Sequence, residues 1–232
     1  MLFRSKSESE LYRHSRDESS HPFVEPDFVL FPDSVEDIVT VLKIANEHKV
    51  PVTPYGAGSG LEGQAIPIHK GISISFDNMK KIIEFNPEDM MVTVEPGITR
   101  LQLNHFVNKH GLYFPIDPGA DASIGGMVAN NASGTTAVRY GSRRDQILDL
   151  EVVLANGTVI HTGSKAKKSS SGYNLNGIMA GSEGTLGVIT KVTLKLHGIP
   201  VNVIAARCTF ETHGRCAEAA QAVLSRVIRI LR

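Results

Sequence analysis

The 232-residue chain has 24 Lys plus Arg against 24 Asp plus Glu and is 41% hydrophobic and 21% charged, an ordinary globular composition with enough apolar material for one or two domains. The formal net charge of zero, with no basic stripe and interleaved aromatics, excludes a nucleic-acid field, and no apolar run reaches the length of a membrane span. Two cysteines, Cys208 and Cys216, make no disulfide framework, and the start Met1–Glu10 lacks the apolar core of a secretory signal; the expected setting is cytoplasmic or mitochondrial.

Residues 1–24 are polar, with Leu11 and Tyr12 as their apolar anchor, and read as an N-terminal arm or short helix. Phe28–Phe31 reads as a short buried strand. Ser34 is placed to cap the next helix, with Asp37 as a capping-box partner. Val35, Ile38, Val39, Leu42 and Ala45 give that helix an apolar stripe ending near His48. Val50–Thr53 is extended and runs into a glycine-rich loop, after which Gly71–Phe76 alternates like a half-buried strand. Strand, helix, strand in this order predicts a parallel βαβ unit.

Met91–Glu95 is a further strand, and Thr99 can cap a helix running to about His110, with Gly111 just beyond. Leu150–Ala155 and Thr158–His161 flank Asn156-Gly157, a strong hairpin signal. Gly187–Leu196 alternates over a long strand. The expected fold class is therefore α+β, with a small parallel lobe followed by a larger, mainly antiparallel one. Beyond Pro200, Val201–Phe210 reads as a strand and about 212–231 as a helix. Its stripe of Cys216, Ala219, Ala220, Val223, Leu224, Val227, Ile228 and Leu231 calls for a partner surface.

Three stretches carry the chemistry. The first is Pro54–Gln64, with Gly56, Gly58, Gly60 and Gly63, where the lack of Cβ atoms lets main-chain N–H groups converge on an anion such as a diphosphate. Gly58-x-Gly60-x-x-Gly63 also satisfies the dinucleotide fingerprint, and Asp77 stands near the position of a ribose-binding acid. That fingerprint needs a helix after the glycines, whereas Pro67 and the strand at 71–76 follow here, so an NAD-type site is rejected. The second is Asp117–Gly134, dominated by small residues and long for a loop without a role. The third is Ala180–Thr190, with Gly181, Gly184 and Gly187 at every third position. Each alone also fits a plain turn.

Taken together and in this order, these stretches and Tyr140-Gly141 resemble the FAD-binding domain of the vanillyl-alcohol-oxidase (PCMH-type) flavoprotein superfamily. Ile124–Asn131 and Gly181–Gly187 point to the branch of D-lactate dehydrogenase, the D-type subunit of glycolate oxidase and D-2-hydroxyglutarate dehydrogenase. The resemblance spans roughly residues 10–200 and implies FAD between the two lobes. It implies that Tyr55, Gly56, Ala57, Gly58, Ser59, Gly60 and Gly63 hold the pyrophosphate. Pro118, Ala122, Ser123, Gly125, Gly126, Asn131 and Gly134 would line the diphosphate and flavin, with Tyr140 beside the cofactor. Glu183, Gly184, Gly187 and Ile189 would contact the adenosine half or close over it. Some relatives attach FAD to a histidine in the first loop; residues 55–64 hold none, so non-covalent FAD is expected.

The implied activity is dehydrogenation of a D-2-hydroxy acid such as D-lactate, glycolate or D-2-hydroxyglutarate, with electrons passed on to a cytochrome, a quinone or an electron-transfer flavoprotein. In the family a cap domain supplies the catalytic base and a histidine-rich divalent-metal site. The nine histidines here show no H-x-H, H-x-x-H or H-E-x-x-H spacing, so no catalytic residue or metal ligand is assigned and any metal is expected in a missing cap. The expected division is an arm at 1–24, the FAD-binding domain at 25–200 and the first strand and helix of an incomplete cap at 201–232. Two alternatives stand beside this reading: a non-catalytic flavin-binding fragment or subunit needing a partner cap, and an alkyl-glycerone-phosphate synthase-like flavoprotein.

Overall fold

The computed structural model describes residues 3–204 and 206–225. The chain enters with strand β1 (Phe3–Ser5) and helix α1 (Glu8–Arg13), which Ser7 caps by accepting the Glu10 N–H. Strand β2 (Phe28–Phe31), helix α2 (Val35–His48) and strand β3 (Val52–Tyr55) follow. Ser34 caps α2 through the Asp37 N–H, and the Asp37 carboxylate takes the Asp33 N–H at 3.2 Å, one residue earlier than a capping box requires. Lys49 ends α2 in the left-handed region at φ 55°.

Strand β4 (Ile72–Ser75) lies between β2 and β3 and is parallel to both, while β1 pairs antiparallel with the outer side of β2. The connection from β3 to β4 is the glycine-rich stretch. It crosses over without a helix, an uncommon solution for adjacent parallel strands. Ile38, Val41 and Leu42 of α2 pack on Leu30 and Ile74 of this sheet.

The second sheet is antiparallel in the order β5 (Ile82–Asn86), β6 (Met91–Val94), β10 (Val188–Lys195), β8 (Ile147–Val153) and β9 (Val159–His161). Asn156-Gly157 makes the expected β8–β9 turn, with Gly157 at φ 81°. Helix α3 (Arg100–Val107) starts with a capping box between Thr99 and Gln102, and a 3-10 turn at Asn108–His110 continues it to Gly111 at φ 72°. Strand β7 (Leu112–Tyr113) pairs with β11 (His197–Gly198). Helix α4 (Ile124–Ala129) and helix α3 bury Leu103, Val107, Ile124 and Met127 against Val94, Leu150 and Val192 of the sheet. Short helices α5 (Ala137–Tyr140), α6 (Arg143–Gln146) and α7 (Leu175–Met179) complete this lobe.

The expected two-lobe α+β architecture is thus observed. Besides the capping box at Ser34, the small β7–β11 pair and the short helices α5–α7, three larger features differ from the sequence expectation. β1 and β5 are added edge strands, and the Asp117–Gly134 stretch contains α4 rather than loop alone. Val201–Phe210 forms no strand among its described residues, since no neighbouring strand satisfies its backbone; Val201 is 95% and Ile204 93% exposed. Helix α8 (His213–Ser225) forms, but buries no residue. Val227, Ile228 and Leu231 of the expected stripe lie outside the described residues.

Candidate functional site

A cavity of about 720 Å³, within the range of cofactor pockets, opens between the two sheets at the carboxyl ends of β3 and β4. Three backbone segments wall it: the loop after β3, the stretch from Pro118 through α4 to Ser133, and the turn at Glu183–Ile189 that feeds β10.

The second segment is tied through main-chain groups to the chain before α3 and to the third segment. The Ile124 and Gly125 N–H groups donate to the carbonyls of Ile98 and Pro96, each at 2.8 Å. From the third segment, the Gly181 and Glu183 N–H groups donate to the carbonyls of Val128 and Ala129, at 3.1 and 2.9 Å. The first segment meets the second where Gly56 faces Ser123. A Cβ on Gly56 would stand 2.3 Å from the Ser123 Oγ, so only glycine allows the approach. Ser123 in turn caps α4 by accepting the Gly126 N–H at 3.3 Å.

What the walls offer is main-chain donors. From Ala57 to Glu62, no main-chain N–H donates to an acceptor among the described residues. Glu18, Glu62 and Glu183 are the ionisable residues of the lining, and it contains no Lys, Arg or His. An anion held here is therefore neutralised by peptide dipoles rather than by cationic side chains.

Of the residues singled out in the sequence, Gly56, Ala57, Gly58, Ser59, Gly60, Pro118, Ala122, Ser123, Gly125, Gly126, Asn131, Glu183, Gly184, Gly187 and Ile189 line this cavity. Four do not. Tyr55 lies behind the loop, 5% exposed, with its hydroxyl turned to the N-terminal segment. Gly63 faces the His21 ring, which a Cβ would approach to 2.7 Å. Gly134 abuts the Asp117 carbonyl, at 1.7 Å from a built Cβ, and so closes the second segment on itself. Tyr140 stacks edge-on against Tyr113 and His197, with ring centroids 5.9 and 4.7 Å away. Burial and the hydrogen bond with Tyr140 raise the Tyr113 phenol above its ordinary range, and burial pushes His197 down.

Sequence reasoning missed the wall residues outside its three stretches, Glu18, Ala65, Phe76 and Pro96. The dipeptide Pro96-Gly97 after a strand was the available signal. A Cβ on Gly97 would lie 2.0 Å from the Phe76 carbonyl oxygen, so the segments just after β4 and β6 meet at backbone distance.

The N-terminal segment supports the first loop from outside. The Glu18 N–H donates to the Gly60 carbonyl at 2.9 Å, and Glu18 lines the cavity. Arg13 pairs with Asp77 just after β4, and Lys80 pairs with the same carboxylate at 2.8 Å. Burial favours the neutral acid, but the hydrogen bonds from Lys80 and Arg13 outweigh it and hold Asp77 at about 2. Asp77, considered above as a ribose-binding acid, is therefore committed to this clamp.

The family model for FAD-binding domains, described as "FAD binding domain", matches residues 26–163. The chain belongs to this family. Among curated relatives, the chain is 45% identical over 223 residues to "Probable D-lactate dehydrogenase, mitochondrial" of Danio rerio, covering 95% of this chain and 45% of the relative. It is 46% identical over 225 residues to "D-lactate dehydrogenase [cytochrome], mitochondrial" of Arabidopsis thaliana, covering 96% of this chain and 40% of the relative. "Glycolate oxidase subunit GlcD" of Bacillus subtilis is 40% identical over 173 residues, covering 74% of this chain and 37% of that protein. The chain thus spans less than half the length of these relatives. A solved alkyldihydroxyacetonephosphate synthase superposes on the chain with a TM-score of 0.82 at 23% identity, over 96% of this chain and 43% of that one, which establishes a shared fold.

The cavity fits the cofactor of the family. Its first loop presents unspent main-chain donors to a diphosphate, Gly56 and Gly58 leave the backbone bare there, and small residues along Ala120–Ser133 admit a flat ring. Among the described residues, no group of three or more His, Cys, Asp or Glu could hold a metal ion, and no helix is long and apolar enough to cross a membrane.

Proposed function

We propose that this chain supplies the FAD-holding part of a dehydrogenase for small D-2-hydroxy acids, the class that includes D-lactate, glycolate and D-2-hydroxyglutarate. The observation that carries it is the cavity walled by three converging segments, the first with free main-chain donors, in a chain whose curated relatives are named as D-lactate dehydrogenases and a glycolate oxidase subunit. FAD bound there, without covalent attachment, supplies the acceptor for the substrate's C2 hydride. The residues of the chain would hold the cofactor: Ala57–Glu62 at its diphosphate, Ala122–Asn131 at its diphosphate and ring, and Glu183–Ile189 at its adenosine half or closing over it.

The same reading assigns residues 201–225 to a second packing unit, because Val201, Val203 and Ile204 stay exposed and α8 buries nothing against the domain. Substrate choice, the base and any divalent metal belong to that unit in this proposal. Of the possible acceptors, the word cytochrome in one relative's name favours a cytochrome over a quinone or an electron-transfer flavoprotein, and the names of two relatives favour a mitochondrial over a cytoplasmic setting.

The test is spectroscopic. The purified chain with added FAD is expected to retain flavin absorption bands after gel filtration, and their absence sinks the proposal. Anaerobic bleaching by D-lactate, glycolate or D-2-hydroxyglutarate is expected only when the polypeptide includes the substrate-binding part. A complete protein that retains FAD but is bleached by none of them refutes the substrate class.

A further inference from the structure

We propose that the N-terminal arm is a proton-sensitive clasp on the cofactor loop: it docks with His14 neutral, so mild acid frees the arm and loosens FAD, and bound FAD in turn expels the proton. This rests on the FAD reading above. It adds a control on cofactor retention from residues outside the matched family segment, which begins at residue 26.

The arm grips the loop at both ends. At the start of the loop, the Tyr55 hydroxyl donates to the Arg13 carbonyl at 2.9 Å. At its far end, the Gly60 carbonyl accepts the Glu18 N–H at 2.9 Å, and Gly63 faces the His21 ring. The N–H groups assigned to the diphosphate lie between these holds. His14 sits between the gripping residues in sequence and is fully buried, its ring 4.3 Å from the Tyr55 ring and 6.1 Å from that of Phe31.

The docked ring has room for one proton. His14 Nδ1 lies 2.8 Å from the Glu10 carbonyl, which can only accept, so Nδ1 carries the hydrogen of the neutral imidazole. Nε2 is buried and has no partner. A second proton would go there, as a buried charge with no acceptor. Glu10 and Arg13 of α1 and Asp77 after β4 are the charges that act on the ring, while Arg16 and Asp17 beyond the helix act on Tyr55. None of them relieves Nε2. The Glu10 carboxylate stands 3.5 Å from Nδ1, the nitrogen already bonded, and Asp77 is held by Arg13 and Lys80. Burial lowers the basicity of His14 and Arg13 adds to the lowering, against Glu10 and Asp77. The docked arm is therefore stable above the ordinary imidazole value of about 6.5 and is lost as pH falls below it. Because docking favours FAD and disfavours the proton, each ligand weakens the other by the same factor.

The experiment counts protons. FAD is titrated calorimetrically into the purified chain, in buffers of different ionisation enthalpy, at about pH 6 and about pH 8, on either side of the ordinary imidazole value. FAD itself has no group that titrates between them. The expected result is net release of a fraction of a proton per FAD at the lower pH and none at the higher. The FAD dissociation constant should be several-fold larger at the lower pH, within the limit of about tenfold per pH unit for one proton. Glu18, Glu62 and Glu183 of the lining would take protons up beside a diphosphate, so the sign separates them from His14. His14→Phe should abolish the release and His21→Gln should keep it. Amide exchange in residues 8–18, relative to the unfolded-chain rate, should quicken at the lower pH and slow again with FAD. No proton release by the unaltered chain at the lower pH overturns the clasp without any variant having to fold. So does release that persists in His14→Phe, or arm protection that is the same at both pH values. No FAD binding at either pH refutes the FAD reading itself, a different result from FAD bound without proton release.

Discussion

The hydroxyl of Tyr55 donates to the carbonyl of Arg13 at 2.9 Å, joining the last residue of β3 to the end of α1 across 42 positions of sequence. The Arg16 carbonyl stands 3.3 Å from the same hydroxyl, and the His14 ring lies 4.3 Å from the Tyr55 ring. The matched family segment begins at residue 26, so this support for the cofactor loop comes from outside it. Tyr55→Phe keeps the ring and strands both carbonyls. It should destabilise the fold by about 1–2 kcal/mol, weaken FAD retention several-fold and expose Arg13 and Arg16 to trypsin. Urea unfolding, FAD titration and limited proteolysis check this; unchanged values in all three would show the arm to be incidental.

Gly58 lies behind the same contact. Its φ is 69°, and a Cβ would stand 2.1 Å from the Tyr55 hydroxyl oxygen. A side chain here therefore strains the loop and pushes on Tyr55 from the cavity side. Gly58→Ala should cost about 1–3 kcal/mol and Gly58→Asp should also abolish FAD retention, the added charge lying beside the diphosphate site. The flavin-to-protein ratio after gel filtration is the readout.

Acid should loosen the arm in two steps. His14 is fully buried, its Nδ1 bonded to the Glu10 carbonyl at 2.8 Å, and burial lowers its basicity despite Glu10 and Asp77 nearby; Arg13 adds to the lowering. The unfolded chain therefore takes up this proton first as pH falls below about 6.5, and stability declines from there downward. Asp77, held at about 2 against an ordinary 3.8, adds a second decline between those values as its pairs with Lys80 and Arg13 are lost. The urea midpoint followed against pH should flatten below neutrality in His14→Phe, and below pH about 4 in Asp77→Asn. An unaltered slope in either variant contradicts the corresponding assignment.

Because the cavity lining has no Lys, Arg or His, FAD affinity should depend weakly on salt. The dissociation constant should change by less than about twofold between about 50 and about 500 mM salt, since short hydrogen bonds to main-chain donors are screened far less than distant charges. A steep salt dependence would require a cation not found in the lining.

The parts of the fold legible in the sequence were those with strong local chemistry. Ser34 and Thr99 start helices, Asn156-Gly157 turns a hairpin, and the rows of glycine mark the cavity walls. Edge strands were not legible: β1 and β5 each pair on one side only, and β5 has little buried face, so no alternation announces it. Helix α4 was hidden by Gly125 and Gly126, poor helix formers; there the tertiary bonds to Pro96 and Ile98 prevail over propensity. Val201–Phe210 failed as a strand for the opposite reason, a favourable pattern with no partner. Tyr55 carried the right motif but a different task, because the direction of a side chain at a strand end depends on what packs behind it.

The core of the small lobe is not its own. Val153 of β8 and Val188 of β10, both from the large sheet, are packed into the cluster that α2 forms with Leu30 and Ile74. The two halves thus share one apolar hinge-pin and cannot swing apart without breaking it. The cofactor slot should therefore act as a rigid bracket rather than a jaw, and filling it is expected to leave the angle between the sheets unchanged.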